Sequence, residues 1–348
     1  MKLSTFALAA AVAIAGTLPA TLALAADITG AGATFPAPAY TAWASEYKAK
    51  TGNGLNYQAI GSGGGQTQIT NRTVDFGASD APMANDKLEA AKLLQFPTVV
   101  GAVVPIVNLD GVAPGELKLT GEVLGEIYLG NITAWNDPKI AALNPGVTLP
   151  ETEIAPVYRS DGSGTTFVFT SYLTAANPAW KDGVGAATSV QWPAGAGAKG
   201  NDGVAGTVKN TKGAVGYVEY VYAAKNNLPT AQLKNKAGEF VKPSAEGFKA
   251  AAAGADWAGA KNFAASMIDM DGKSAWPIVS ATFILLPKDP KEPAQAAEVI
   301  KFFDWAYKEG GATAEKLHYI TLPADVTDKV RAAWKSEIKG ADGGAVYN

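Results

Sequence analysis

Three passages of this chain set glycine beside serine or threonine, each between a strand-like apolar run and a helix-like one: residues 32–35, 61–65 and 162–166. A strand that ends in such a loop and opens a helix must send the chain back along one face of a sheet. Repetition of that unit favours parallel pairing, and strand-like and helix-like runs alternate along most of the sequence. The pattern predicts an α/β fold with mainly parallel sheets flanked by helices. It also predicts where a ligand would sit, since open α/β sheets bind at the carboxyl ends of their strands.

The third passage is the richest. Residues 159–166 read Arg159, Ser160, Asp161, Gly162, Ser163, Gly164, Thr165, Thr166, after an apolar run at 154–158 and before one at 167–173. Glycines let the backbone approach a ligand closely. Ser163 and Thr165 bring hydroxyl donors, and a helix start presents free N–H groups with partial positive charge. Arg159 offers a planar fork to an oxyanion or to a neighbouring carboxylate. Each loop alone also fits a routine strand-to-helix connection, in which glycine, serine and threonine are simply good caps. Three such loops together with an Arg–Asp pair shift the balance toward an anion site.

Composition narrows the chemistry. The 348 residues carry 29 Lys and Arg, 32 Asp and Glu, one His and no Cys, for a net charge of −3. No basic footprint for nucleic acid is present, and any attraction for an anion has to be local. The absence of cysteine and the single His318 rule out thiolate catalysis and Cys- or His-rich zinc sites. No metal and no cofactor are expected. Residues 1–25 read as a cleaved export signal: Lys2, then a mostly apolar stretch, then Ala23-Leu24-Ala25 as a small-x-small cleavage site. Its removal takes one lysine and leaves −4. No later stretch is apolar enough to span a bilayer.

The elements expected downstream of the signal begin with a strand at 27–29, a helix at 37–50, a strand at 55–60 and a short helix through Ile69. A strand at 74–78 ends at Ser79-Asp80, and Asn85 is the expected N-cap of a helix through Leu94. Two long β runs, 99–109 and 276–286, lie far apart in sequence. The economical arrangement takes the chain out of a first lobe near residue 102 and back near 279. Lobe I is then discontinuous, 26–102 with 280–348, lobe II is 103–279, and two crossover strands form the hinge. Further elements are a β-rich stretch at 214–222 and amphipathic helices at 294–308 and 326–338, while 195–206 is glycine-rich.

Other anion motifs fail. No segment has P-loop spacing, and Gly30-x-Gly32 lacks its third glycine at Phe35. Gly162-Ser163-Gly164 echoes a nucleophile elbow, but Asp161 stands where the first glycine belongs. The two acids instead divide the work. Asp161 lies two residues from Arg159 and can orient the guanidinium. Asp80 is then the discriminating acid, because an ionised carboxylate only accepts hydrogen bonds. Monohydrogen phosphate still holds a proton to donate, and sulfate does not. A site built on one required hydrogen bond rejects the analogue lacking it by roughly 10⁴–10⁵.

These residues resemble a known family. Residues 30–36 (GAGATFP), 60–64 (IGSGG), 74–80 (VDFGASD) and 161–165 (DGSGT) are similar to the periplasmic phosphate-binding proteins of bacterial phosphate ABC transporters. The resemblance extends to 216–220 (GYVEY) and 302–307 (FFDWAY). It implies a two-lobed periplasmic binding protein of type II-like architecture, closing over one dehydrated phosphate and delivering it to a membrane permease, with no bond broken. It implies contacts from Thr34, Phe35 (through its N–H), Ser62, Asp80, Arg159, Ser163, Gly164 and Thr165, with Asp161 paired to the arginine. Tyr158 and Ser160, flanking Arg159, depart from the usual family residues without touching the contact atoms. The alternatives are a receptor of the same fold for arsenate, sulfate or molybdate, and an exported phosphatase. A monomer is expected.

Overall fold

The computed structural model describes residues 27–347, so residues 1–25, expected to be an export signal, lie outside the described residues. The first half of the chain is built from strand-to-helix units. They are β1 (Ile28–Gly32), α1 (Ala37–Thr51), β2 (Leu55–Ala59), α2 (Ser62–Thr70), β3 (Phe76–Ser79), α3 (Asn85–Ala90) and β4 (Leu93–Val107). There follow β5 (Lys118–Leu119), α4 (Gly121–Tyr128), α5 (Pro138–Leu143), β6 (Ala155–Arg159), α6 (Gly164–Ala176), α7 (Pro178–Gly183), β7 (Ala196–Ala198), α8 (Gly200–Asn210), β8 (Ala214–Glu219) and α9 (Tyr220–Lys225). The rest comprises β9 (Gln232–Lys234), β10 (Phe240–Val241), α10 (Ala245–Ala253), β11 (Met267–Ile268), β12 (Ile278–Pro287), α11 (Pro293–Lys308), α12 (Gly311–Lys316) and α13 (Ala324–Glu337).

The main sheet runs β2-β1-β3-β12-β4-β8-β6-β7. Two parallel blocks, β2-β1-β3 and β8-β6-β7, flank an antiparallel centre formed by β12 and β4. The centre is where sequence and structure part most. β4 begins at Leu93, six residues before the expected start, and all fifteen of its residues are buried. A strand covered on both faces shows no alternation, so its first half reads as readily as the end of a helix. The helix expected through Leu94 stops at Ala90, and Lys92, at φ +49°, turns the chain into the strand. Nor is Asn85 the cap: it is the first helical residue, after Ala84.

β4 changes partner along its length. Residues 93–102 pair with β12, and residues 103–107 pair with β8. The β-rich stretch expected at 214–222 is a strand only to Glu219. There the Glu219 carboxylate accepts from Val221 N–H at 3.0 Å and caps α9.

Burial holds the first block to its helices. Tyr40, Trp43 and Tyr47 are buried on one face of α1; Tyr40 meets Tyr57 of the sheet and Phe303 of α11 edge-on, Tyr47 meets Phe302 and Trp305 of α11, and Phe76 of the sheet packs between Tyr57 and Phe303. Tyr40 and Phe303 are fully buried, and a buried aromatic of this size contributes about 2–3 kcal/mol by transfer alone. α2 packs flat against β1 and β3 because Gly65 lets it: a Cβ there would lie 2.5 Å from the Gly32 Cα and 2.7 Å from the Ala31 and Ala78 carbonyl oxygens. That close approach brings the start of α2 level with the ends of β1 and β3.

Candidate anion site

The carboxyl ends of β1, β3, β6 and β7 and the starts of α1, α2, α6 and α8 meet in one buried cluster. Thr34, Ser62, Asp80, Arg159, Ser163 and Thr165 are each 5% exposed or less. Bonds between distant segments join them. Ser62 Oγ accepts from the N–H groups of Asp80 and Gly164, at 3.1 Å each, and the Gly63 N–H donates to the Gly162 carbonyl at 2.9 Å. The loops at 61–65 and 162–166, a hundred residues apart in sequence, are thus in direct contact.

Arg159 ends β6 with its guanidinium buried. Its Nε donates to Asp161 Oδ1 at 2.7 Å, its Nη2 to Asp161 Oδ2 at 2.5 Å, and its Nη1 to Thr165 Oγ1 at 3.3 Å. The Gly200 N–H also donates to Asp161 Oδ1, at 3.1 Å. Burial works against the Asp161 charge, but the bonds and charge of Arg159 outweigh it and hold the carboxyl below its usual range. The pair leaves the site with little net charge. An anion placed there would meet an array of oriented N–H and O–H dipoles and helix starts.

The hydroxyls are poised to donate. Thr34 Oγ1 accepts from Asn201 Nδ2 at 2.8 Å, Thr165 Oγ1 accepts from Arg159 and Asn201, and Ser163 Oγ accepts from Thr166 N–H at 3.0 Å as the cap of α6. Each oxygen that accepts a protein donor in this way keeps its own hydrogen to give. Phe35 contributes backbone only. Its ring packs on Tyr319 in the core, its carbonyl accepts from the Tyr319 hydroxyl at 2.6 Å, and among the described residues its N–H has no acceptor. Gly164 N–H, by contrast, is engaged by Ser62 Oγ in this arrangement.

Asp80 is the counterpart to these donors. Its Oδ1 accepts from the Thr282 hydroxyl at 2.8 Å, and its Oδ2 lies beside Gly164, where an added Cβ would be 2.5 Å away. Burial pushes its carboxyl up to about 7, and the Thr282 hydroxyl, the Arg159 charge and the Ser62 hydroxyl pull only partly against that. From its sequence Asp80 is a plain ionised acceptor; burial in the fold raises its affinity for a proton.

Asn201 was not singled out from the sequence. Wholly buried, it bridges Thr34 and Thr165 and accepts the Glu219 N–H at 3.2 Å. Its helix was hidden by Gly200, Gly203 and Gly206, which lower helix propensity. The signal available was the same one used elsewhere: a glycine loop with a polar residue at a helix start.

A family model described as a PBP superfamily domain matches residues 18–309. The phosphate-binding protein PstS of Pasteurella multocida is 52% identical over 320 residues, covering 92% of this chain and 93% of that protein. The chain belongs to the PstS family of phosphate-binding proteins. The PstS protein of Haemophilus influenzae is 50% identical, over 93% of this chain and 96% of its own length. The fold is shared more widely. A DING protein crystal structure matches with a TM-score of 0.74 at 20% identity, over 92% of this chain and 99% of that one. A periplasmic phosphate-binding protein solved with bound phosphate matches at 0.70 and 23%, over 88% and 94%. The two-lobed architecture of this family is an α/β binding protein, not an enzyme.

Proposed function

We propose that this chain binds one inorganic phosphate between two lobes and delivers it to the membrane permease of a phosphate ABC transporter. The observation that carries the reading is the division of hydrogen-bonding roles. The hydroxyls of Thr34, Ser163 and Thr165 each accept from protein donors and retain a hydrogen, while among the described residues only one Asp80 oxygen, Oδ1, accepts a hydrogen bond, in a buried site. A tetrahedral oxyanion with one proton satisfies both sets. Thr34, Phe35, Ser62, Asp80, Arg159, Ser163, Gly164 and Thr165 are the proposed contacts, and Asp161 orients Arg159.

The lobes are 26–102 with 280–348, and 103–279. Support comes from the partner change in β4 between Ala102 and Val103 and from the start of β12 at Ile278. Export to the periplasm follows from the signal-like 1–25 segment, and no helix among the described residues is long and apolar enough to cross a membrane. The working form is a monomer. Native mass spectrometry of purified protein, before and after exhaustive dialysis, tests the phosphate reading: one removable phosphate per chain is expected. Ion chromatography of the released anion, which separates phosphate from sulfate where mass does not, completes the test; sulfate or another anion would contradict the reading.

A further inference from the structure

The side-chain oxygen and the carbonyl of Thr34 each accept a hydrogen bond from the opposite lobe. Asn201 Nδ2 donates to its side-chain oxygen at 2.8 Å, and the Tyr222 hydroxyl donates to its carbonyl at 2.5 Å. Asn201 opens α8 and Tyr222 lies in α9, both within 103–279, while Thr34 follows β1. Tyr222 is 5% exposed and Asn201 fully buried. Neither is among the proposed phosphate contacts.

We infer that Asn201 and Tyr222 form a latch that holds the lobes shut on the anion and sets how fast it leaves. The inference rests on the phosphate reading above. A ligand in this cluster cannot depart unless the two sides separate, because Thr34, Asp80 and Arg159 are buried between them. Separation breaks both latch bonds. The Tyr222 bond does more. It lands on the carbonyl of the 34–35 peptide, whose N–H is the unengaged donor of Phe35. A donor on the carbonyl of a planar peptide polarises its N–H, so closure strengthens the Phe35 hydrogen bond to the anion. Asn201 acts likewise on Thr34 Oγ1 and Thr165 Oγ1, orienting their hydrogens away from itself and toward the cluster. These are positioning residues: they touch the groups that bind rather than the ligand.

Stopped-flow kinetics with inorganic phosphate test this on wild type, Tyr222→Phe and Asn201→Ala. A neutral hydrogen bond is worth about 3- to 10-fold. Each variant should raise the phosphate off-rate by at least that factor and leave the on-rate within about twofold; Tyr222→Phe should also leave the melting midpoint of the phosphate-free protein unchanged, whereas Asn201→Ala also strands the Glu219 N–H and is read by its off-rate alone. Tyr222→Phe keeps the ring and its packing, so it isolates the hydroxyl. Unchanged off-rates in both variants, with wild type binding normally, overturn the latch alone. So does, in Tyr222→Phe, a loss shared equally by on-rate and phosphate-free stability, which marks a structural role. A wild-type protein that takes up no phosphate overturns both the latch and the reading beneath it.

Discussion

The Thr282 hydroxyl donates to Asp80 Oδ1 at 2.8 Å, joining residues 202 apart in sequence. A threonine has one hydrogen to give, so this bond fixes which carboxyl oxygen is spoken for and aims the other, Oδ2, past Gly164 into the cluster. In the proposed reading, selectivity rests on that oxygen.

Asp80→Asn replaces the acceptor with an amide that can donate from the same place. Phosphate affinity should fall and sulfate affinity rise, shrinking the phosphate-to-sulfate ratio by about 100-fold or more. Competition between the two anions at pH 8, in a calorimetric titration, reads this directly. The same change bears on stability. A buried acid raised from its ordinary 3.8 to about 7 favours the fold when protonated. Its charge costs roughly 4 kcal/mol once the pH exceeds the raised value. Without phosphate, wild type should therefore lose stability relative to Asp80→Asn as pH rises from 4 to 7, with no further loss above. Melting midpoints at pH 5 and pH 8 check the sign.

Sulfate binding should depend on pH in wild type. Below about 7 Asp80 carries a proton that it can donate to a fully ionised anion. The groups around it that could blur this are the Thr282 and Ser62 hydroxyls, Arg159 and the carboxyl of Glu219. Burial holds Glu219 well above the ordinary carboxyl range. Sulfate affinity should climb between pH 8 and pH 6 in wild type and stay flat in Asp80→Asn, as followed by isothermal titration.

Arg159 and Asp161 should fail differently. Arg159→Lys cannot span both Asp161 oxygens and Thr165 at once. It should weaken phosphate and sulfate alike, by roughly 1.5–3 kcal/mol, leaving their ratio intact. Asp161→Asn strands a buried guanidinium and should lower stability by about 3 kcal/mol. Because Arg159 depresses the Asp161 carboxyl, the stabilisation is complete above the ordinary carboxyl range and fades as pH falls through the depressed value. Denaturant titrations at pH 7 and pH 3 should show the gap between wild type and Asp161→Asn shrinking.

Gly164→Ala probes the closeness of the two loops. Its Cβ would lie 2.4 Å from Ser62 Oγ and 2.5 Å from Asp80 Oδ2, nearer than any Cβ contact tolerates. Alanine suits a first helical turn, so α6 itself should survive. Far-ultraviolet circular dichroism should be unchanged, and phosphate affinity should drop by at least tenfold.

The sequence showed most of this site because its chemistry is local. Gly162 to Thr165 announces a helix start, and Arg159 with Asp161 announces a pair, without help from the rest of the chain. What depends on distant pairing was less visible. The first half of β4 looked helical because both its faces are buried, and only its pairing with β12 shows it as strand. Thr282 sits mid-strand with nothing around it in sequence to suggest an acid partner. Asn201 was lost among glycines that argue against the helix it begins. The raised proton affinity of Asp80 comes from burial, which no local motif encodes.

Calorimetric titration of wild-type protein at pH 8, stripped of bound anion and challenged with phosphate and with sulfate in parallel, tests the central claim most directly. One phosphate per chain with saturating heat, and no measurable heat from sulfate at the same concentrations, is the predicted result. Comparable binding of sulfate would contradict it.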